Sequence, residues 1–274
     1  MPTSETRQAY LGHLDEFANG YRRISLLIFT QAMRHNGSSQ SQRTANPMPK
    51  FFAPADDPAD WQQLLAKPDL HWRMGYSARS IAYSWTEARG FPTEVRAVLD
   101  TAETKDLHDL EFLIGIPEHE VPLPGGRRPS QNDVFVLAKG SDGLVSIAVE
   151  GKVSEPFDKP VDLRFAKPTP GEATRLAFLL ELLELDRNDV GEIGYQLLHR
   201  TASAILEARR FGAQHAIMLV HSFSQELDHF DDYAGFVGLY GQTAEPNRLF
   251  EAKQLGDVTL YLGWVVGNAE YLSR

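Results

Sequence analysis

The chain of 274 residues contains no cysteine. That excludes disulfides, thiolate zinc sites and thiol redox chemistry, and it suits a reducing compartment. Long apolar runs are lacking too: Ile24 to Phe29 falls far short of the ~20 residues that span a bilayer. The opening MPTSETRQAY has neither the basic flank nor the apolar centre of a secretory signal. The expectation is a soluble, cytoplasmic protein without a membrane partner. Positive charge is scarce, with 27 Lys and Arg against 37 Asp and Glu and a net charge of −10. Proteins held to nucleic acid mainly by counterion release are usually basic, so the balance counts against strong non-specific binding. It leaves room for a local basic groove beside acidic clusters. Also missing are a Gly-rich loop ending in Lys-Ser/Thr, a G-x-G-x-x-G turn, a G-x-S-x-G elbow and an H-E-x-x-H helix. Nucleotide-driven and serine-hydrolase functions therefore lack support.

What is present reads as an α/β protein. Hydrophobic content of 42% and charged content of 23% are ordinary for a globular chain, and its length can bury a sizeable core without staples. Tyr10, Leu14, Phe17 and Tyr21 have helical spacing, and residues 34–50 are polar and rich in Ser, Gln, Asn and Pro. Residues 1–50 thus read as a helix and linker, an appendage suited to homodimerisation. Residues 51–274 read as a helical lead-in and a core. Short helices are expected from Asp60 to about Ile114, the last of them over Lys105 to Ile114. Leu176, Leu179, Leu180 and Leu183 mark an amphipathic helix over Glu172 to Leu185. A second helix is expected from Asp189, whose spacing to Glu192 fits a capping box, to about Arg210, closed by Gly212. Ala216 to Val220 reads as a strand buried on both faces, and Asp257 to Val266 as another.

Chemistry concentrates in Ser130 to Lys152, SQNDVFVLAKGSDGLVSIAVEGK. Two apolar, β-branched runs flank the turn-rich KGSDG, the pattern of a hairpin. Folding back around Ser141 and Asp142 sets position 133 across from position 150, where opposed Cβ atoms are roughly 5 Å apart. Glu150 and Lys152, two residues apart, share a face of the strand. Asp133 and Glu150 could share a divalent cation with the Lys152 ammonium alongside, which makes a phosphodiester-cutting site plausible. The competing reading is a surface hairpin carrying an ordinary ion pair of little worth.

Asp, hairpin, then Glu-x-Lys on the next strand resembles the PD-(D/E)XK nuclease superfamily, although Gln131-Asn132 stands where a Pro often precedes the Asp. The wider text from Trp61 to Phe223, including PLPGGRRPSQNDVFVLA, VEGKV and YQLLHRTASAILEARRFGA, resembles a bacterial domain family placed near that superfamily. The resemblance implies a restriction-endonuclease-like α-β-β-β-α-β core over about 104–223, with a mixed sheet and additional N-terminal helices. It implies catalytic residues Asp133, Glu150 and Lys152, and Mg²⁺ or Mn²⁺ on Asp133 and Glu150. A further ligand is often drawn from a helix upstream of the hairpin. Glu111 is the candidate, with Glu118 and Glu120 as rivals. Gln196 matches a Gln that touches the site in several branches. Arg200 occupies the place of the usual Tyr four residues on, and suits a phosphate contact, as do Arg127 and Arg128. The function implied is a metal-dependent nuclease acting on nucleic acid, DNA first among substrates. The alternative is a non-catalytic binding or assembly module on the same fold. His215 and His221, bracketing the buried strand, read as structural residues, and the aromatic run from Trp72 to Trp85 as a packing face.

Overall fold

The structure, a computed structural model, describes residue 55 and residues 57–274. The N-terminal helix, its linker and dimerisation through them lie outside the described residues. Four helices come first: α1 (Pro58–Gln62), α2 (Pro68–His71), α3 (Ser77–Ala88) and α4 (Thr93–Leu99). Three strands follow, β1 (Glu111–Val121), β2 (Ser130–Gly140) and β3 (Gly143–Lys152). A one-turn helix α5 (Val161–Arg164) and the longer α6 (Pro170–Leu183) and α7 (Tyr195–Phe211) lead to β4 (His215–Ser222). Helix α8 (Phe230–Gly238) and the strands β5 (Arg248–Leu255) and β6 (Val258–Val266) complete the core. Among the described residues no helix is long and apolar enough to cross a membrane.

The strands form one six-stranded mixed sheet in the order β1-β2-β3-β4-β6-β5. The β1–β2, β2–β3 and β5–β6 pairs are antiparallel, and β3–β4 and β4–β6 are parallel. Strand alternation sorts the core into two layers. Val145, Ile147 and Val149 of β3 and Ile217 and Leu219 of β4 pack with Ile81, Trp85, Val95 and Leu99 of α3 and α4. Ala148, Met218, Val220, Leu262 and Trp264 face the opposite way, under Leu197, Leu198, Ala204 and Ile205 of α7. Glu150 and Lys152 alternate with Gly151 and so lie on the α7 side. The face that a surface hairpin would give to water is therefore covered by a helix.

Several elements differ from expectation, the unforeseen helix α8 among them. Residues 105–114 do not form a helix: Lys105–Leu107 is a single 3₁₀ turn, and Glu111 opens β1. Pro117 argues against a central strand, but β1 is the sheet edge, where a missing N–H costs little. Helix α7 begins at Tyr195 rather than Asp189, because the preceding backbone is used elsewhere. The Ile193 and Gly191 carbonyls accept from Val161 and Asp162 N–H. The start of α7 is tied to the loop after β3 by Tyr195 N–H to Lys159 O (3.1 Å) and Gln196 N–H to Phe157 O (3.2 Å). Strand β5, which carries no clear period-two alternation, was not expected at all. Helix α6 carries the expected leucine stripe and a Thr169–Glu172 capping box, and α7 ends at Gly212 in the left-handed region (φ 68°).

Gly194 makes the close approach of α7 possible, since a Cβ there would lie 2.6 Å from Phe157 O and 2.7 Å from its Cβ. Gly194→Ala is expected to lower stability by about 1–3 kcal/mol through overpacking. Gly238→Ala, with nothing within 4 Å, should be neutral or slightly stabilising. Urea denaturation of the two variants checks the contrast.

Candidate functional site

The hairpin register places the carboxylates. Val134 pairs with Val149, and Pro117 and His119 pair with Val134 and Asn132. One step along, Glu118, Asp133 and Glu150 fall in a row across β1, β2 and β3, continued by Val220 on β4 and Trp264 on β6. Paired backbone between β2 and β3 stops at Val134–Val149. Beyond it the Asp133 Oδ2 accepts the Gly151 N–H at 2.6 Å. Gly151 suits this contact: a Cβ there would press on Asp133 Oδ2 and Ile81 Cδ1 at 3.2 Å each, tighter than ordinary packing.

Glu150 is the hub. Its side chain is almost fully buried, and Lys152 Nζ (2.6 Å) and Gln196 Nε2 (2.6 Å) donate to Oε1. Arg200 Nε donates to Oε2 at 2.5 Å. Lys152 Nζ also donates to Gln196 Oε1 (2.9 Å) and lies 4.9 Å from the Phe157 ring centroid. Gln196 and Arg200 are one turn apart on α7, so one helix face supplies both. Arg200 Nη1 reaches Ser130 Oγ (3.1 Å) and His199 Nδ1 (3.2 Å). Arginine has only donors, so Nδ1 is the bare ring nitrogen and Nε2 carries the proton.

Three carboxylates thus face two cations. Burial opposes the charge on Glu150, but the Arg200 and Lys152 charges and hydrogen bonds outweigh it and hold the carboxyl below its usual value. Among the described residues Asp133 accepts no hydrogen bond from either cation, and their charges and the Gly151 N–H do not offset its burial. Burial first, and then the Glu150 charge, push it up to about 7. Burial and the Asp133 charge likewise raise Glu118 well above the ordinary carboxylate range, despite a hydrogen bond from Gln131 (2.8 Å). Glu118 also holds a left-handed backbone, φ 52°, a conformation that costs a non-glycine residue on the order of 1 kcal/mol or more. His199 is neutral, its pKa driven well below the usual value by burial and by the Arg200, Arg175 and Lys152 charges.

Asp133, Glu150, Lys152, Gln196 and Arg200 are therefore brought together. Glu111 is not. It is exposed at the other end of β1, opposite Lys139, and its rival Glu118 takes the place beside Asp133, while Glu120 is exposed. Arg127 is exposed in the 122–129 loop, and Arg128 lines a separate cleft. His221 is fully buried, with Nδ1 accepting from Trp85 Nε1 at 3.1 Å, a structural role. The sequence reading missed Ser130, Gly151 and His199. Only recognising β1 as a strand, with positions 118 and 133 in register, could have singled out Glu118 beforehand. Among the described residues no group of three or more His, Asp or Glu side chains is arranged to hold a metal ion.

Fold and site define a layered α/β protein built on a buried carboxylate cluster with lysine, glutamine and arginine partners. The chain belongs to the family described as a domain of unknown function (DUF6946), whose model matches residues 54–269. No curated protein and no solved structure matches the chain.

Two expectations follow. Glu150→Ala leaves Lys152 and Arg200 buried without their counterion and should cost about 3–5 kcal/mol of stability in chemical denaturation. The raised Asp133 pKa favours folding fully only below its ordinary value of 3.8, and this contribution is lost as pH rises through about 7. Glu150, with its lowered pKa, acts in the opposite sense and loses its contribution on acidification. Asp133→Asn should therefore gain stability over the parent protein at about pH 8, the gain shrinking towards about pH 5. Denaturation curves showing the same difference at both pH values would refute the assignment.

Proposed function

We propose that the protein hydrolyses nucleic-acid phosphodiesters, DNA first among substrates, with Mg²⁺ or Mn²⁺, on a restriction-endonuclease-like core. The observation that carries this reading is the unbalanced charge of the cluster. Asp133 and Glu118 are crowded and short of one positive charge, and a hard divalent cation on oxygen ligands supplies it. The donor set fits such an ion in charge and atom type. Asp133, Glu118 and Glu150 would hold it only after rearranging, since they are not grouped as a metal site here and Glu150 spends both oxygens on Lys152, Gln196 and Arg200. When bound, the cation would lower the pKa of a water and draw charge from the scissile phosphate. Lys152, kept in place by Gln196 and the Phe157 ring, would orient the nucleophile and offset charge growing on the phosphorus oxygens. Arg200, whose fork already spans Glu150 and Ser130, would move its charge onto the phosphate. Three antiparallel strands, a helical crossover and a parallel fourth strand agree with this reading.

The second reading is a non-catalytic module. The observation in its favour is that Glu150 is already saturated by two cations and an amide.

The deciding assay is cleavage of circular, linear and single-stranded DNA with Mg²⁺ or Mn²⁺, with Lys152→Met alongside and its folding checked by circular dichroism. Metal-dependent cutting lost in the variant is expected. No cutting of any substrate, or equal cutting by the variant, would overturn the nuclease reading. Calorimetry gives a second check. Mn²⁺ binding near neutral pH should release protons, seen as a heat that depends on the ionisation enthalpy of the buffer, and Asp133→Asn should reduce that dependence, Glu118 remaining as the other proton source.

A further inference from the structure

Beside the carboxylate cluster, on the far side of Ser130 and His199, lies a cleft of about 520 Å³. Its walls include Arg128, Lys159, Arg164 and Arg175, against Asp158 as the single carboxylate among the described residues, with Tyr195, His199 and Leu163 as less polar surface. The four cations come from separate pieces of chain: the loop before β2, the loop after β3, α5 and α6. Their convergence is a product of the fold and not of a basic run in the sequence.

Most of this positive charge is not spent on carboxylates. Arg175 donates to the carbonyls of Pro124 (3.0 Å) and Leu123 (3.2 Å) and also hydrogen-bonds the Tyr195 hydroxyl, so its guanidinium is fixed in place without being paired to a carboxylate. Arg128 and Lys159 are exposed and form no ion pair among the described residues. Arg164 shares Glu172 at 2.7 Å, and its plane lies over Phe165 and Tyr195 at 5.3 and 5.7 Å from the ring centroids. In a chain of net charge −10, a pocket with this excess of cations is a local reversal of sign. Such a reversal attracts anions into a concave, partly desolvated space. The neutral ring of His199, with its proton on Nε2, adds a donor to the wall.

We propose that this cleft is an anion site for a phosphate group. Guanidinium forks from several directions match the oxygens of a phosphate better than those of a single planar carboxylate. The volume exceeds that of a bare phosphate and lies in the range of small-molecule sites, so the group is carried on a larger body that meets Tyr195 and Leu163. Tyr195 and His199 face the cleft from the same helix that sends Gln196 and Arg200 to Glu150. The two sites are therefore neighbours sharing α7, joined by the Glu150–Arg200–Ser130–His199 chain of hydrogen bonds. The assignment stands whether or not the carboxylate cluster hydrolyses phosphodiesters.

The test is titration of the full chain with inorganic phosphate, followed by calorimetry or by NMR shifts. The parent protein should bind, and the double variant Arg128→Glu, Lys159→Glu, changed only at exposed positions, should bind at least ~10-fold more weakly. Lys139→Glu, the same charge change at the opposite end of β2, should stay within about twofold of the parent. Absence of binding by the parent, unchanged binding by the double variant, or an equal loss of binding in Lys139→Glu would each overturn the assignment. Matched oligonucleotides with a 5′-phosphate or a 5′-hydroxyl then identify the source of the group. A preference for the phosphorylated end assigns a terminal phosphate, and equal binding that the double variant weakens assigns the backbone. Phosphate binding without oligonucleotide binding assigns a small phosphorylated molecule.

Discussion

A carboxylate taken out of water must find its charge and hydrogen-bond partners inside the protein, and for Glu150 these are three side chains from two elements. Lys152 is on the same strand, and Gln196 and Arg200 are on α7. An unpaired ionised group at this depth would be prohibitively unfavourable, so the position of α7 over β3 and the ionisation of Glu150 are one constraint. Much of the nearby chain serves it. The loop after β3 holds the first turn of α7 by backbone bonds, Gly194 lets that turn come close, and Gly151 leaves room for the Asp133 carboxylate beneath α3.

The cluster is not balanced, and that separates it from a purely structural ion pair. Where a buried pair only fixes register, the charges cancel. Here Glu118 and Asp133 remain short of a positive partner, and one of them adopts a disfavoured backbone to be there. Perturbed groups of this kind are concentrated at working sites. The cation-rich cleft lies at the other end of the Glu150–Arg200–Ser130–His199 chain of hydrogen bonds, so the molecule sets a local deficit of positive charge beside a local excess.

Much of this was legible in the sequence because it depends on short-range geometry. A two-residue turn at Ser141-Asp142 fixes which residues oppose one another, and the alternation of a strand fixes which side chains share a face. Asp133, Glu150 and Lys152 therefore followed from counting. Gln196 and Arg200 came from a resemblance, and no spacing rule could have brought them over β3 from 46 and 50 residues away. Glu111 was misplaced for a local reason: apolar residues at Leu107, Leu110 and Ile114 suit a helix, whereas β1 is an edge strand carrying a bulge and a proline. The cleft was invisible because its four cations are scattered, and only Arg128 had been singled out, for a different role.

The crossover between β3 and β4 has a consequence for how the protein comes to exist. The β2–β3 hairpin closes through contacts between near neighbours and can form early, but at that stage Glu150 and Lys152 still belong to the solvent. Their burial waits for α7, which reaches them only after a long excursion of chain has been closed, the kind of contact that slows folding. Packing of the helix and exclusion of water from the carboxylates then occur in a single event. A chain stalled before that event would hold a formed hairpin with an open, hydrated acidic end.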